Sequence, residues 1–367
     1  MLDPRPTLDT VAKAAGVSRM TVSNAYNRPD QISAQTREMV LRVAAELGYP
    51  GPDPAGRSLR RRHSGTVGVV LTDDLASAFG DQGTVSFLHG VATELGEAGQ
   101  ALLLLPADRD ANQTHIRDAL VDAFVMVSLP PDATVVADVL QRRLPVVSFG
   151  SPRLSGVPYV TADNAMAAAE VAAHLHALGH RRFAVVTVGS TPHADSSPDV
   201  EVDTMSQQVP AAGVVRPARH RGFRERVRGF LRELRDLGVL DESIDVVVAS
   251  GNGHHQARAV VSELLARPAQ TRPTAVFAVT DVMAIGVMAE AKAQGLAVPP
   301  EVSVAGFDGI EEGERSTPTL TTVQQSLFEQ GRSVARLALD RVSGGTTRAA
   351  KAPAALVVRA STGPPPN

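Results

Sequence analysis

At 367 residues and 43% hydrophobic content, the chain is too long for one ordinary domain and is expected to form two or three compact units. With no Cys it excludes disulfide frameworks, zinc–thiolate centres and Cys nucleophiles, and no apolar run approaches the ~20 residues that span a bilayer. The net charge of −3 hides an asymmetry: residues 1–63 hold 10 Lys+Arg against 6 Asp+Glu, and the remainder 26 against 33, so a polyanion partner is expected at the N-terminal end.

The start, Met1-Leu2-Asp3-Pro4-Arg5-Pro6, lacks the apolar core of a signal peptide, and a cytoplasmic location is expected. Thr7 is placed to cap a helix over Leu8–Ala15, with Asp9 favourable in its first turn. Gly16 supplies the tight turn, and Ser18 caps a second helix over Arg19–Tyr26. Ser33 caps a third, Ala34–Leu47, whose Val40, Val43 and Leu47 are expected to close a small core with Val11, Val17 and Val22. Gly48 stops it. This is a helix-turn-helix with a supporting helix. Arg19 suits the O6/N7 edge of guanine, Asn24 the N6/N7 edge of adenine and Met20 a thymine methyl, all in the major groove of double-stranded DNA. Thr21, Ser23 and Arg37 suit phosphate contacts, which position without specifying.

Asp53-Pro54 can start a short helix to Arg61, too short to be stable alone in water. Beyond Gly65 the pattern changes. Val67–Leu71, Leu102–Leu105, Phe124–Val127, Val146–Phe149, Phe183–Val188, Val246–Ala249, Ala275–Val279 and Val302–Phe307 are continuous apolar runs. Amphipathic helices over Val85–Ala98, Ala165–Leu178, Arg226–Leu237, Gln256–Leu265 and Met283–Ala293 lie between several of them. The alternation predicts α/β architecture: two doubly wound, parallel-sheet lobes with a ligand beyond the carboxyl ends of the strands. Thr191–Pro217 reads as a long loop and Ser361–Asn367 as a disordered tail.

Enzyme chemistry finds no support: there is no phosphate-binding glycine loop, nucleophile elbow or metal-ligand spacing, and His254-His255 cannot face one ion from a helix. No cofactor and no metal are expected. A binding protein without DNA function is the alternative that the helix-turn-helix opposes.

The run Thr7-Leu8-Asp9-Thr10-Val11-Ala12-Lys13-Ala14-Ala15-Gly16-Val17-Ser18-Arg19-Met20-Thr21-Val22-Ser23 resembles the headpiece of the lactose-repressor family. Gly179-His180-Arg181-Arg182, Thr280-Asp281-Val282-Met283-Ala284-Ile285-Gly286, Val302-Ser303-Val304-Ala305-Gly306-Phe307-Asp308 and Leu320-Thr321-Thr322-Val323 resemble that family's periplasmic-binding-protein-like regulatory domain. Departures fall at Asn24, Tyr26 and 191–217. The resemblance implies a headpiece at 1–50, a hinge segment at 51–64, a first lobe from 65–162 with 324–343, and a second from 163–323 with 354–362. It implies a homodimeric repressor on a palindromic operator, switched by a sugar, nucleoside or related metabolite. For DNA it adds Thr7, Ser18 and Asn27, and from the hinge Ala55, Arg57, Ser58, Leu59 and Arg60, with Leu59 as a minor-groove wedge. For the effector it implies Asp281 and Arg226. Asp281 reads either as a hydroxyl acceptor or as the N-cap of the helix at Val282; Arg226 has a rival register at Arg219. Phe79, Asp81, Ser128 and Phe149 in the first lobe and Asn252 in the second complete the expected set. Phe149 stands ready either to stack on a ligand or to fill the core.

Overall fold

A computed structural model describes residues 6–51, 63–71, 75–107, 114–131, 133–190, 216–217, 220–347 and 349–366. The chain divides into two compact units, Met1–Gly65 and Thr66–Asn367.

The first unit is three helices, α1 (Leu8–Ala15), α2 (Arg19–Asn27) and α3 (Ala34–Glu46). Each start is capped as its sequence demands. The Thr7, Ser18 and Ser33 hydroxyls accept from the backbone N–H of Thr10, Thr21 and Thr36, and Thr7 with Thr10 closes a reciprocal box. Gly16, at φ 66°, ends α1 in the left-handed conformation that turns the chain into α2. Val11, Ala12, Val22, Ala25, Val40 and Ala44 form the core with Tyr49, whose ring meets Tyr26 edge-on at 6.0 Å. Leu47 is exposed rather than core: Tyr49, just past the helix end, occupies the place expected for it.

The second unit runs β1 (Thr66–Leu71), α4 (Leu75–Gly80), α5 (Gln82–Glu97), β2 (Ala101–Pro106), α6 (Thr114–Asp118), β3 (Ala123–Val127), α7 (Thr134–Gln141), β4 (Val146–Phe149) and β5 (Tyr159–Ala162). It continues through α8 (Asn164–Ala177), β6 (Phe183–Ser190), β7 (Arg216–Pro217), α9 (Arg221–Asp236), β8 (Ile244–Ala249), α10 (His254–Leu265), β9 (Ala275–Ala278) and α11 (Asp281–Ala293). β10 (Ser303–Asp308), α12 (Glu311–Arg315), β11 (Thr321–Gln324), α13 (Leu327–Val342), β12 (Ala349–Ala352) and β13 (Ala355–Val357) complete it.

Two sheets result. The first has the order β12-β5-β4-β3-β1-β2, all parallel. The second runs β13-β11-β10-β9-β6, with β8 also on β6; β13 and β7 are its antiparallel members. Strand residues of the first sheet alternate between two cores. Val67, Val69, Val125 and Val127 pack with Phe87, Val91 and Val334 on one face; Val70, Phe124 and Met126 pack with Ile116 and Val135 on the other. Burial on both faces is why these strands read as unbroken apolar runs.

The chain passes from one sheet's lobe to the other's three times, between β5 and α8, β11 and α13, and β12 and β13. The second passage brings α13 back onto α5 of the first lobe. A Cβ on Gly90 would stand 2.0 Å from the Phe328 carbonyl oxygen, and one on Gly331 would stand 2.1 Å from that of Phe87. Only glycine on each helix permits this backbone approach.

Two expectations are corrected. The tail is docked through Gly363 rather than disordered: Ser361 is buried, its Oγ donates to the Val304 carbonyl, and the Gly363 carbonyl accepts from Ser303 Oγ at 3.0 Å. The stretch expected as a loop ends in strand β7, where Arg216 and Pro217 pair with Ser190 and Gly189. Residues 191–215 lie outside the described residues.

Candidate functional site

In the first unit, α2 carries its polar side chains on a face turned from the core. Met20 is 72% exposed and Arg19 lies beside it, 3.5 Å from Asp9 of α1. Thr21, Ser23 and Asn24 are half-buried on the same helix. Ser18 Oγ also meets Thr21 Oγ1 at 2.9 Å, which fixes both hydroxyls at the helix start. Asn27 turns its amide back, Nδ2 donating to the Ser23 carbonyl at 3.0 Å. Arg37, exposed on α3, donates from Nε to the Ala25 carbonyl at 3.3 Å and so braces α3 against α2. Thr7 caps α1. Thus an Arg and a Met at the start of a helix held by a turn, and an Asn one turn further along it, form the arrangement that enters a major groove. Ala55, Arg57, Ser58, Leu59 and Arg60 lie outside the described residues.

The second unit holds a cavity of about 450 Å³ between its lobes. The walls are strand ends: Leu71 of β1, Val127 at the end of β3 with Ser128 after it, Phe149-Gly150 at β4, Asn252 after β8, Thr280 after β9, Asp308 of β10 and Gln325 after β11. Carboxyl ends of parallel strands leave such a crevice where helices turn away to opposite faces. Four described non-glycine residues have positive φ, and three are here or next to it: Ser128 (52°), Asp308 (134°) and Ser326 (42°). Such backbone costs energy, and it clusters where function requires it.

Arg226 dominates the second-lobe wall. It sits on α9, which starts at Arg221, a turn and more before the expected start; the Gly222-Phe223 of the rival register therefore also lines the cavity. Arg219 lies outside the described residues. Buried Arg226 donates from Nε to Asn164 Oδ1 at 3.0 Å, and from Nη1 to the Val279 carbonyl at 2.6 Å and to Asp308 Oδ1 at 3.1 Å. Its guanidinium lies 3.8 Å from the Phe307 ring centroid. Burial lowers its pKa, opposed chiefly by Asp308. Asp308 is one of the residues that sequence reasoning missed, with Gln325, Gln330 and His220 of the same lining. Burial pushes its carboxyl up to about 7, against the Arg226 charge and with repulsion from Asp281 and Asp81. The available signal was its place as the last residue of an apolar run, a strand's carboxyl end.

Asp281 does not line the cavity, contrary to expectation. It is buried, with burial raising its pKa, and its carboxylate is consumed internally. Oδ2 accepts from the backbone N–H of Gly309 at 2.7 Å and Ile310 at 2.9 Å, while Oδ1 accepts from Thr322 Oγ1. Nor is it the N-cap: Thr280 caps α11, accepting from Met283 N–H, and Asp281 is the first helical residue. It therefore holds the turn that follows Asp308. Phe79 is also displaced from the expected set. It lies on α4, 61% exposed and away from the cavity lining.

The remaining expected residues do converge. Asp81 caps α5, its carboxylate accepting from Gly83 N–H, Thr84 N–H and Thr84 Oγ1. The Ser128 carbonyl takes a hydrogen bond from His220 Nδ1 of the other lobe at 2.9 Å. Phe149 lines the cavity and stacks on Phe87 at 4.3 Å, packed against the core of the first lobe. Asn252 Oδ1 accepts from Thr280 Oγ1 at 2.6 Å. His254 faces Glu312 at 3.6 Å, and among the described residues no group of three metal-ligating side chains assembles. No described helix is long and apolar enough to cross a membrane.

A helix-turn-helix in one unit and a two-lobed, cavity-bearing body in the other define a class: DNA-binding regulators that respond to a ligand. Comparison with known proteins agrees. Residues 7–51 match the bacterial regulatory proteins of the lacI family, and residues 172–362 match the periplasmic binding protein-like domain. An HTH-type transcriptional regulator of Mycobacterium tuberculosis is 37% identical over 91% of this chain and 90% of its own. The regulator CelR of Thermobifida fusca is 31% identical over 94% of each. The structure of a CelR–cellobiose complex superposes with a TM-score of 0.66 at 28% identity, covering 97% of this chain and 100% of that one. The lac repressor dimer bound to operator shares the fold, with a TM-score of 0.73 at 23% identity over 98% and 99% of the two chains. The chain belongs to the lacI family and is a ligand-responsive, DNA-binding transcription regulator.

Proposed function

We propose that the protein is a cytoplasmic repressor that binds a palindromic operator as a homodimer, with no membrane partner. Two copies of α2 lie in successive major grooves, and the two-fold axis of the dimer matches that of the site. Arg19, Met20 and Asn24 read base edges; Ser18, Thr21, Ser23 and Arg37 hold phosphates, with Thr7 and Asn27 supporting the ends of the helix pair. The hinge residues Ala55, Arg57, Ser58, Leu59 and Arg60 follow the headpiece into the minor groove, where Leu59 wedges a base step.

The effector occupies the cavity between the lobes. Arg226, Asp308, Asn252, Ser128, Phe149 and Asp81 surround it, and Asp281 acts by positioning Asp308. The observation that carries this reading is the buried Arg226–Asp308 pair opening onto a strand-end crevice with Asn252 and an aromatic stack. A sugar, nucleoside or related metabolite has the hydroxyls and flat faces for these groups. Its binding shifts lobe closure, and operator affinity changes because the two closures bind it unequally. The test is a thermal-shift screen of sugars, nucleosides and purines followed by operator binding with and without each hit. A hit that stabilises the wild type but not Arg226→Met, and changes operator affinity, supports the reading. A hit unaffected by that change contradicts it.

A further inference from the structure

Gln330 stands in the first turn of α13, only 1% exposed, and lines the cavity. Its Nε2 donates to the Gln325 carbonyl and to Gln325 Oε1, the latter at 3.3 Å. Its Oε1 is buried and has no hydrogen-bond partner among the described residues. Turning the amide over would set Oε1 against those two acceptors, so the orientation is fixed by its neighbours. Buried carbonyl oxygens are nearly always paired, and an unpaired one on a residue that lines a cavity calls for a donor from whatever fills it.

The rest of the wall indicates the kind of donor. Gln325 passes the same polarity on, its Nε2 donating to Asp308 Oδ1 at 2.5 Å. Arg226 is the only Lys or Arg among the described lining residues, and its charge is already met by Asp308. Asp81 adds a second carboxylate, while His220 holds Ser128 through Nδ1. An entering phosphate would thus meet two carboxylates and a cation that is already paired. An entering hydroxyl would meet acceptors.

We propose that Gln330 is a specificity-determining residue of the effector site, its Oε1 accepting from a hydroxyl of a neutral ligand, and that the site rejects the phosphate ester of that ligand. The inference rests on the reading of the cavity as the effector site. Gln330 follows Ser326, whose left-handed backbone lies in the second passage between lobes, so a bond to this amide also ties the ligand to the crossing segment.

The test uses the full chain and a panel of D-ribose, D-glucose, cellobiose and adenosine, with ribose 5-phosphate, glucose 6-phosphate and AMP, read by thermal shift and titration calorimetry. The proposal expects a neutral member to bind and its ester to bind at least about tenfold more weakly. It expects Gln330→Met to weaken the neutral ligand about tenfold or more. On the wild type alone, deoxy analogues of the bound ligand are to include one whose missing hydroxyl costs a similar factor; this arm stands even if the variant does not fold. Unchanged affinity in Gln330→Met, or deoxy analogues that all bind as well as the parent, overturns the role of Gln330 and leaves the effector site in place. An ester that binds as tightly as its parent overturns the neutral class. If no panel member binds the wild type, the proposal falls together with the effector reading.

Discussion

Arg226 and Asp308 meet at 3.1 Å with both side chains nearly shut off from solvent, one from α9 and the other from the end of β10. Their pairing defines the second-lobe wall of the cavity. Removing Arg226 leaves Asp308 buried without its cation, held by Gln325 Nε2. Arg226→Met is therefore expected to cost about 3–5 kcal/mol in urea unfolding at pH 8. The double variant Arg226→Met, Asp308→Leu recovers part of that loss. If the single changes are each mild and strictly additive, the pair is not coupled.

The same pair makes stability depend on pH. Asp308 has an ordinary carboxyl pKa of 3.8 when unfolded and about 7 when folded, so the native state holds its proton more tightly. Its contribution is most favourable below the unfolded value and is lost as pH rises through about 7. Asp308→Asn is expected to flatten the stability profile across pH 4–7 relative to wild type, measured by urea midpoints. Parallel profiles for the two proteins would contradict this.

Asp281 is predicted to act on stability before it acts on ligand. Replacing it with Ala strips acceptors from the N–H groups of Gly309 and Ile310 and from Thr322. A loss of about 1–3 kcal/mol is expected from the orphaned donors alone. A variant with wild-type stability but no response to effector would return Asp281 to direct ligand contact.

The crossing of α5 and α13 makes a separate prediction. Gly331→Ala places a methyl 2.1 Å from the Phe87 carbonyl oxygen, in the helix whose Phe87 stacks on Phe149. Overpacking of about 1–3 kcal/mol is expected, with weaker effector binding as the stack moves. Gly96→Ala on the same α5 has open space around it and serves as a control expected to be neutral or stabilising. Equal effects at both positions would remove the close crossing as the cause.

Much of this molecule was legible in residue order, for local reasons. Helix caps at Thr7, Ser18 and Ser33 and the left-handed Gly16 declare themselves through single side chains. Strands buried on both faces announce themselves as apolar runs. What escaped depends on contacts distant in sequence. β12 is Ala-Ala-Lys-Ala at a sheet edge, half exposed, with no apolar run to mark it. The Pro-rich tail has a disordered composition, yet His174, His180 and Ser303 hold its Thr362 and Gly363. Asp281 and Asp308 both follow apolar runs, and nothing local says which carboxylate is open. That choice is made by Gly306, whose missing Cβ leaves room for Asp281 Oδ1 to tuck beneath the turn, 2.3 Å from where a methyl would stand.

On DNA, the exposed face of α2 is expected to separate reading from holding. Asn24→Ala or Arg19→Ala should cost about 1–3 kcal/mol and relax preference at one base pair of each half-site. Arg37→Ala should weaken all sequences alike and lessen the salt dependence. The reverse pattern would exchange their roles.

Selection of duplexes from a random pool by the purified chain tests the whole account most directly. The expected result is a single enriched sequence with two inverted half-sites, bound more tightly than competitor, with affinity falling steeply as salt rises and altered by any ligand that stabilises the two-lobed unit. Recovery of no preferred sequence, with and without such ligands, would contradict it.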